Sequence, residues 1–496
     1  MARLPLTVHT AAQIKAMDRI AIHELHIPGY TLMTRAGEAA LRAMRSCWPA
    51  AERIVVVCGP GNNAGDGYVL ARLALAQRLR VSVVALFDPA MLVGDARQAW
   101  VDYQAVGGTT TNWQSNALQD AEVIVDAIFG VGLARAIEGE AAACVAAINE
   151  ASAKVFAIDI PSGLDADSGR ILGHAVRAER TITFLGLKLG FYLADGPNCV
   201  GAVMCDSLDV PAELEVRVGS AARRIDEGVL AKTLPRRSRT SHKGQQGRVL
   251  LIGGGEGMAG AARLSGEAAL RVGAGLVTIA TRPENVSAIT ANRPELICRG
   301  VETAKDLAPL IEQADVLAIG PGLGQTPWAR AMFEMTLNCE QRRVLDADAL
   351  NLLAQSPRRS DRSVLTPHPG EAGRLLGRSA AEVQHDRLGA ARAIAERYGG
   401  VVVLKGAGTL VVEDAASPHI CDRGNPGMAS PGMGDVLTGV IAGILAQGAG
   451  CADAARAGVL AHAMAGDMAA QRGERGLLAS DLFGFLQTCI NPNPYR

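Results

Sequence analysis

At 496 residues the chain is too long for one typical core, and a 49% hydrophobic and 20% charged composition predicts two globular domains, or three. A net charge of −1 and 4% aromatic residues exclude a global basic field for nucleic acid or anionic membrane, and stacking platforms for single strands. The ten cysteines are scattered without C-x-x-C spacing, no apolar run is long enough to span a bilayer, and no secretory h-region opens the chain. A cytoplasmic protein with reduced thiols is expected, with no nucleic-acid and no membrane partner.

Residues 10–23 read as a helix that Thr10 can cap, with Ile14, Met17, Ile20 and Ala21 on one face. The apolar, β-branched run Arg53–Cys58 predicts a buried parallel strand. It opens into Gly59-Pro60-Gly61-Asn62-Asn63-Ala64-Gly65-Asp66-Gly67, after which a helix is predicted over 68–79. Strand, glycine loop and helix make the geometry of a phosphate or dinucleotide site. The glycines let a ligand approach the backbone, and Asn62, Asn63 and Asp66 add donors and acceptors. The loop is not a standard dinucleotide fingerprint, and no G-x-x-x-x-G-K-[ST] occurs, which disfavours a P-loop nucleotidase. Further strands are predicted over 81–86, 123–128, 155–160 and 181–185. Two of them carry acids, Asp126 and Asp159, to the carboxyl edge where open α/β sheets place ligands. Asn63, Asp126 and the Ser162 region together offer oxygen ligands to one hard cation, while each acid alone better suits a helix cap or loop.

Charged residues and the cluster Pro235-Arg236-Arg237-Ser238-Arg239 mark 211–239 as a boundary, ending the first domain (1–215) and starting the second (225–496). The basic cluster reads as solvated surface. The strand–helix rhythm then resumes with Arg248–Ile252, followed by strands over 276–280, 316–319, 344–345, 363–366 and 401–404. Three strand ends carry unusual chemistry: Gly320-Pro321-Gly322-Leu323-Gly324, Asp346-Ala347-Asp348, and Thr366-Pro367-His368-Pro369-Gly370-Glu371. His368 sits in a stiff turn, either aiming its imidazole at a partner or serving the turn itself. Lys405-Gly406-Ala407-Gly408-Thr409 offers a lysine and free N–H groups as a phosphate cradle. Finally Gly424–Gly434 is a shaped loop delivering Asp435 to the start of an apolar helix. Its free N–H groups suit an anion, and a carboxylate in the same place suits a base that accepts a hydroxyl proton, so the pair suggests phosphoryl transfer to an alcohol. Asp435 as a plain N-cap is the competing reading.

The segments Gly59 to Gly67, Val125 to Gly132 and Asp159 to Asp165 resemble the N-terminal domain of YjeF proteins, the NAD(P)H-hydrate epimerases. The resemblance implies an α/β fold, a Rossmann-like three-layer αβα sandwich binding NAD(P)H hydrate with potassium. It places Asn62, Asn63, Ala64, Gly65, Asp66, the run Gly130, Val131, Gly132, Leu133, Ala134, Arg135, Ala136, and Asp159 at the hydrate, and Asn63, Asp126 and Ser162 at potassium. Asp159 is the implied acid/base, with Lys188 as either its proton-handling partner or a surface turn lysine. The second half is similar to the ribokinase-like superfamily, and more closely to ADP-dependent NAD(P)H-hydrate dehydratases. That likeness implies a ribokinase-like α/β domain in which Lys405, Gly406, Ala407, Gly408, Thr409 and Gly434 bind the adenine nucleotide. It also implies that Ala261, Gly322, His368 and Asp435 contact the hydrate, Asp435 as catalytic base. The implied substrates are NADHX, NADPHX and ADP, with Mg2+ bridging the nucleotide phosphates; a homo-oligomer is expected. Two other readings stay open: a vitamin or sugar kinase in the second half, and a non-catalytic nucleotide-binding scaffold in the first.

Overall fold

The computed structural model describes residues 4–491 apart from Asn292 and Ala415, and the chain divides into two units between Arg223 and Arg224. In the first unit seven parallel strands run in the order Thr110–Asn112, Arg80–Ala85, Arg53–Cys58, Val123–Ala127, Lys154–Ile158, Arg180–Phe184, Ala202–Asp206. The period of two along Arg53–Cys58 sends Ile54, Val56 and Cys58 into one apolar layer and Val55 and Val57 into the other. Helices Gly29–Cys47 and Asn62–Ala76 cover the first layer, and helix Gly139–Glu150 covers the second through Cys144, Val145 and Ile148. The sheet is therefore the middle of an αβα sandwich. From Arg53–Cys58 the chain winds outward in one direction and returns through Val123–Ala127 in the other. The crevice beyond the carboxyl ends of those two strands is the topological switch point.

Thr10 caps helix Ala11–His23 in a capping box with Gln13, as its spacing predicts. Other expectations need correction. The helix placed over 68–79 begins at Asn62, so the asparagines and Asp66 occupy its first turns rather than a preceding loop. The strand placed over 155–160 stops at Ile158, because Asp159 turns to a left-handed φ of 66°. The boundary segment is folded: helices Glu213–Val218 and Gly228–Thr233 flank strand Ala222–Arg224, whose Ala222 and Arg223 pair with Val8 and Thr7. The basic cluster 235–239 is exposed throughout, as expected of solvated surface, and there Arg237 donates to Gly273 O and, at 2.7 Å, to Gln447 Oε1.

The second unit orders its strands Ile297–Gly300, Leu276–Thr281, Arg248–Ile252, Val316–Ile319, Arg342–Leu345, Ser363–Leu365, Val401–Leu404, all parallel. Thr409–Glu413 and His419–Cys421 extend them antiparallel. The apolar helix Met433–Ala446 is almost wholly buried and lies against helix Ala259–Arg271. Glycines make that approach possible: a Cβ at Gly439 would stand 2.0 Å from Ser265 O, and one at Gly443 2.5 Å from a Val272 methyl. This close contact fixes where the helix presents its first turn.

Candidate active sites

A cleft of about 710 Å3 opens at the switch point of the first unit. Asn62, Asn63, Asp66, Asp159 and the loop 130–135 line it, and Gly130 adjoins both Asn63 and the Asp159 carboxylate. Ala64, Gly65 and Ala136 do not line it. Ala64 is fully buried in the core, Gly65 packs against Met33 and Ala96, and Ala136 lies beside Gly173. Lys188, offered by its turn either as a partner of Asp159 or as a surface residue, is fully buried. Its ammonium meets the Asp159 carboxylate and the Thr183 hydroxyl directly, and donates to Phe184 O at 3.3 Å. Burial, then Asp159 and Asp18, push the Asp66 carboxyl well above the carboxylate range. Burial, then Asp159 and Asp95, also raise Asp18. Asp18 and Asp95 escape sequence reasoning because they come from helices remote in the chain.

Beneath this cleft Asp126 is fully buried and accepts from Ser162 Oγ at 2.6 Å, Ser162 N at 2.8 Å and Ile128 N at 3.2 Å. Burial raises it to about 6, with the Ser162 hydrogen bonds opposing. Asn63 is 7% exposed, yet neither atom of its amide finds a partner among the described residues. A buried amide oxygen without a donor is a free ligand position.

In the second unit, Lys405 follows strand Val401–Leu404 and reaches Asp346 Oδ1 at 2.7 Å and Glu371 Oε2 at 3.8 Å. Asp346 is 1% exposed and also accepts from Thr366 Oγ1 and Thr438 Oγ1, both at 2.8 Å. Burial alone would lower the Lys405 pKa; Asp346 and Glu371 leave it raised. Gly434 adjoins this pair, since a Cβ there would lie 3.3 Å from Lys405 Nζ. Asp435 stands in the first turn of helix Met433–Ala446, and its cap is Gly432 at a φ of 89°, which excludes the N-cap reading. Burial, then Asp346 and Glu371 against Lys405, push the Asp435 carboxyl to about 7. Ser265 Oγ donates to Asp435 O at 2.7 Å.

His368 caps helix Pro369–Leu376: its Nδ1 accepts from Gly370 N at 3.0 Å and Glu371 N at 3.3 Å, while Glu371 Oε2 accepts from His368 N at 2.8 Å. Of its two readings, the turn role is the one formed here, and it leaves Nε2 facing Glu371 Oε1 at 3.3 Å. Ala261 and Gly322 adjoin each other, a Cβ at Gly322 falling 3.1 Å from that of Ala261. The turn 405–409 is braced by buried Arg387, which donates to Leu404 O, and by Thr409 Oγ1 donating to Gly406 O at 2.8 Å. Asp346, Glu371 and Thr438 were the residues without an assigned role in the sequence. The signal was present for two of them, acids at successive strand ends, whereas Thr438 lies inside a featureless apolar run.

Comparison with known proteins agrees with this division. A family profile described as NAD(P)H-hydrate dehydratase matches residues 249–488, and one described as YjeF-related protein N-terminus matches residues 29–190. The bifunctional NAD(P)H-hydrate repair enzyme Nnr of Coxiella burnetii is 47% identical over 481 residues, covering 97% of this chain and 98% of that protein. The enzyme of the same name from Escherichia coli is 44% identical over 493 residues, covering 99% of this chain and 95% of its own length. A ribokinase-like superfamily protein from Enterococcus faecalis superposes on 54% of this chain and 95% of its own, with 31% identity and a TM-score of 0.50. The chain, with its Rossmann-like first unit and ribokinase-like second unit, belongs to the family of bifunctional NAD(P)H-hydrate repair enzymes.

Proposed function

We propose that the first unit interconverts the R and S forms of hydrated NADH and NADPH, and that the second dehydrates the S form at the expense of ADP, giving AMP and phosphate. The observation that carries this reading is Asp435. A carboxyl raised to about 7 stands at a helix start whose first N–H groups have no side-chain cap, beside the ammonium of Lys405. Base and phosphoryl cradle thus share one place.

The hydrate carries a hydroxyl at C6 of the reduced ring, and hydroxide is a poor leaving group. Asp435 accepts the hydroxyl proton as the oxygen attacks the terminal phosphoryl of ADP; the bond to AMP breaks and a C6 phosphate ester forms. The N–H groups of the Gly432–Gly434 turn and Lys405 stabilise the charge on the transferring group. The ring-nitrogen lone pair then expels phosphate from C6, and loss of a C5 proton restores the reduced nicotinamide. Lys405 to Thr409 and Gly434 bind the nucleotide, and Ala261, Gly322 and His368 hold the hydrate. Magnesium would arrive with the ADP phosphates and offset their charge. In the first unit the donor set of Asn63, Asp126 and Ser162, one carboxylate with neutral oxygens, fits potassium, and the orphaned Asn63 amide is the support for it. Bound there, the cation would supply a fixed positive charge under the hydrate. Asp159 exchanges the proton during epimerisation, with Lys188 holding its carboxylate in place.

The test follows the recovery of reduced-nicotinamide absorbance from a mixed R/S hydrate with ADP, ATP or no nucleotide, in magnesium and potassium. Complete recovery faster than spontaneous epimerisation is expected with ADP. Recovery halting at the S fraction would remove the epimerase assignment, and no recovery would remove the dehydratase.

A further inference from the structure

A second cleft, of about 570 Å3, lies in the second unit between Gln325, Asn351, Ala354, Gln355 and Arg374. Two elements tie it to the proposed dehydratase site. Gln325 directly follows the loop that carries Gly322, and Arg374 lies on the helix that His368 caps. Hydrogen bonds join these walls. Asp348 accepts from Gly324 N at 2.9 Å and from Asn351 Nδ2 at 3.3 Å, and Asn351 Oδ1 accepts from Arg374 Nε at 2.6 Å. A Cβ at Gly370 would stand 2.9 Å from His368 Cε1 and 3.9 Å from Arg374 Nη1, so imidazole and guanidinium flank one turn.

Arg330 reaches the same wall, donating to Gln355 Oε1 at 2.8 Å. Arg374 is exposed, spends its Nε on a neutral amide and forms no ion pair among the described residues, which leaves the fork of its two terminal nitrogens to the cleft. Such a fork suits a phosphate bidentately. The amides of Gln325 and Gln355 beside it, joined at 3.2 Å, suit the polar edge of a base or a ribose.

The substrate supplies the need for such a place. A dinucleotide hydrate carries a second nucleotide beyond its reacting ring, while the ground around Lys405 and Gly434 belongs to ADP. We infer that this cleft receives the adenosine half of the hydrate and that Arg374 binds one of its phosphates, either the adenosine-side phosphate of the bridge or the 2′-phosphate. The inference rests on the dehydratase reading of Asp435.

Steady-state kinetics of the full chain and of its Arg374→Ala and Arg374→Lys variants test it, with saturating ADP. The substrates are the S hydrates of NADH, of NADPH and of reduced nicotinamide mononucleotide. Arg374→Ala is expected to raise KM about tenfold, for the NADPH hydrate alone or for both dinucleotides, as loss of one charge-assisted contact does, with kcat within about twofold. The mononucleotide is expected to be unaffected, and Arg374→Lys to recover part of the loss. A larger effect on the NADPH hydrate assigns the 2′-phosphate, and equal effects on the two dinucleotides assign the adenosine-side phosphate of the bridge. Unchanged dinucleotide KM values overturn the inference. So does an equal rise for all three substrates, because Arg374 would then act through His368. A wild-type protein that dehydrates none of them fails earlier, at the function itself, and takes this inference with it.

Discussion

The Asp346 carboxylate joins Lys405, at 2.7 Å, to Thr438, at 2.8 Å, one helical turn beyond Asp435 on the same helix. The acid therefore acts on Asp435 twice: its charge raises the Asp435 carboxyl, and its hydrogen bonds hold the ammonium that opposes that rise. Asp346→Asn keeps the shape and deletes the charge. With one negative neighbour gone, the Asp435 pKa falls. Its basic form then persists to lower pH, and the acid limb of kcat moves from about 7 downward, by about one unit. A pH–rate profile measures this. An unmoved limb would mean that Asp346 does not set the base.

Asp435→Asn should reduce dehydration by about 10²–10⁴-fold, the range for removal of a general base, while ADP binding measured by calorimetry stays within about threefold. Asparagine fits the first turn of the helix, so the fold is spared. Near wild-type turnover in this variant would withdraw Asp435 from proton transfer.

The sequence made the βα rhythm legible because buried parallel strands such as Arg53–Cys58 are unmistakable apolar runs, and because Thr10 and Gln13 write a capping box. It misjudged Asn62, since glycine and asparagine normally mark a loop, whereas here Ala64 and Gly65 pack inside the core and let the helix start early. The candidate sites were legible where an acid ends a strand. Asp18 and Thr438 were not, because each lies within an ordinary helix and gains its meaning from residues more than seventy positions away, such as Asp346 at 2.8 Å from Thr438. The burial of Lys188 is likewise a tertiary fact, since its own turn reads as surface.

Lys188→Met should stop epimerisation, a loss of at least about 10²-fold, and leave dehydration of the S form unchanged in the other unit. Removing one partner of a buried pair also costs about 3–5 kcal/mol, so lower stability alone proves little. The double variant Lys188→Met/Asp159→Asn separates the effects. It should recover thermal stability without recovering epimerisation. Recovery of both would make the pair structural.

Gly439→Ala places a methyl 2.0 Å from Ser265 O, in the seam that sets the height of the Asp435 helix. Overpacking of this kind costs about 1–3 kcal/mol or more, because backbone is the obstacle and has no rotamer to yield. Thermal unfolding of the second unit should move down and dehydration should fall, while the first unit keeps its epimerase activity. A neutral Gly439→Ala would show that the two helices are free to separate.

Asn63 gives a test of the cation that needs no turnover. Its buried amide lacks a partner among the described residues, and an unsatisfied buried amide costs about 1–3 kcal/mol. Asn63→Leu, of similar volume, removes that cost and should raise the melting temperature in choline chloride. Potassium chloride at equal ionic strength should raise the melting temperature of the wild type, because an ion that binds only the folded state adds to its stability. It should leave Asn63→Leu unmoved. The variant should thus melt above the wild type in choline chloride yet gain nothing from potassium, a pattern that a general packing defect cannot imitate. A potassium-dependent rise that survives in Asn63→Leu would move the cation away from this residue and leave the orphaned amide to a hydrogen bond with the hydrate instead.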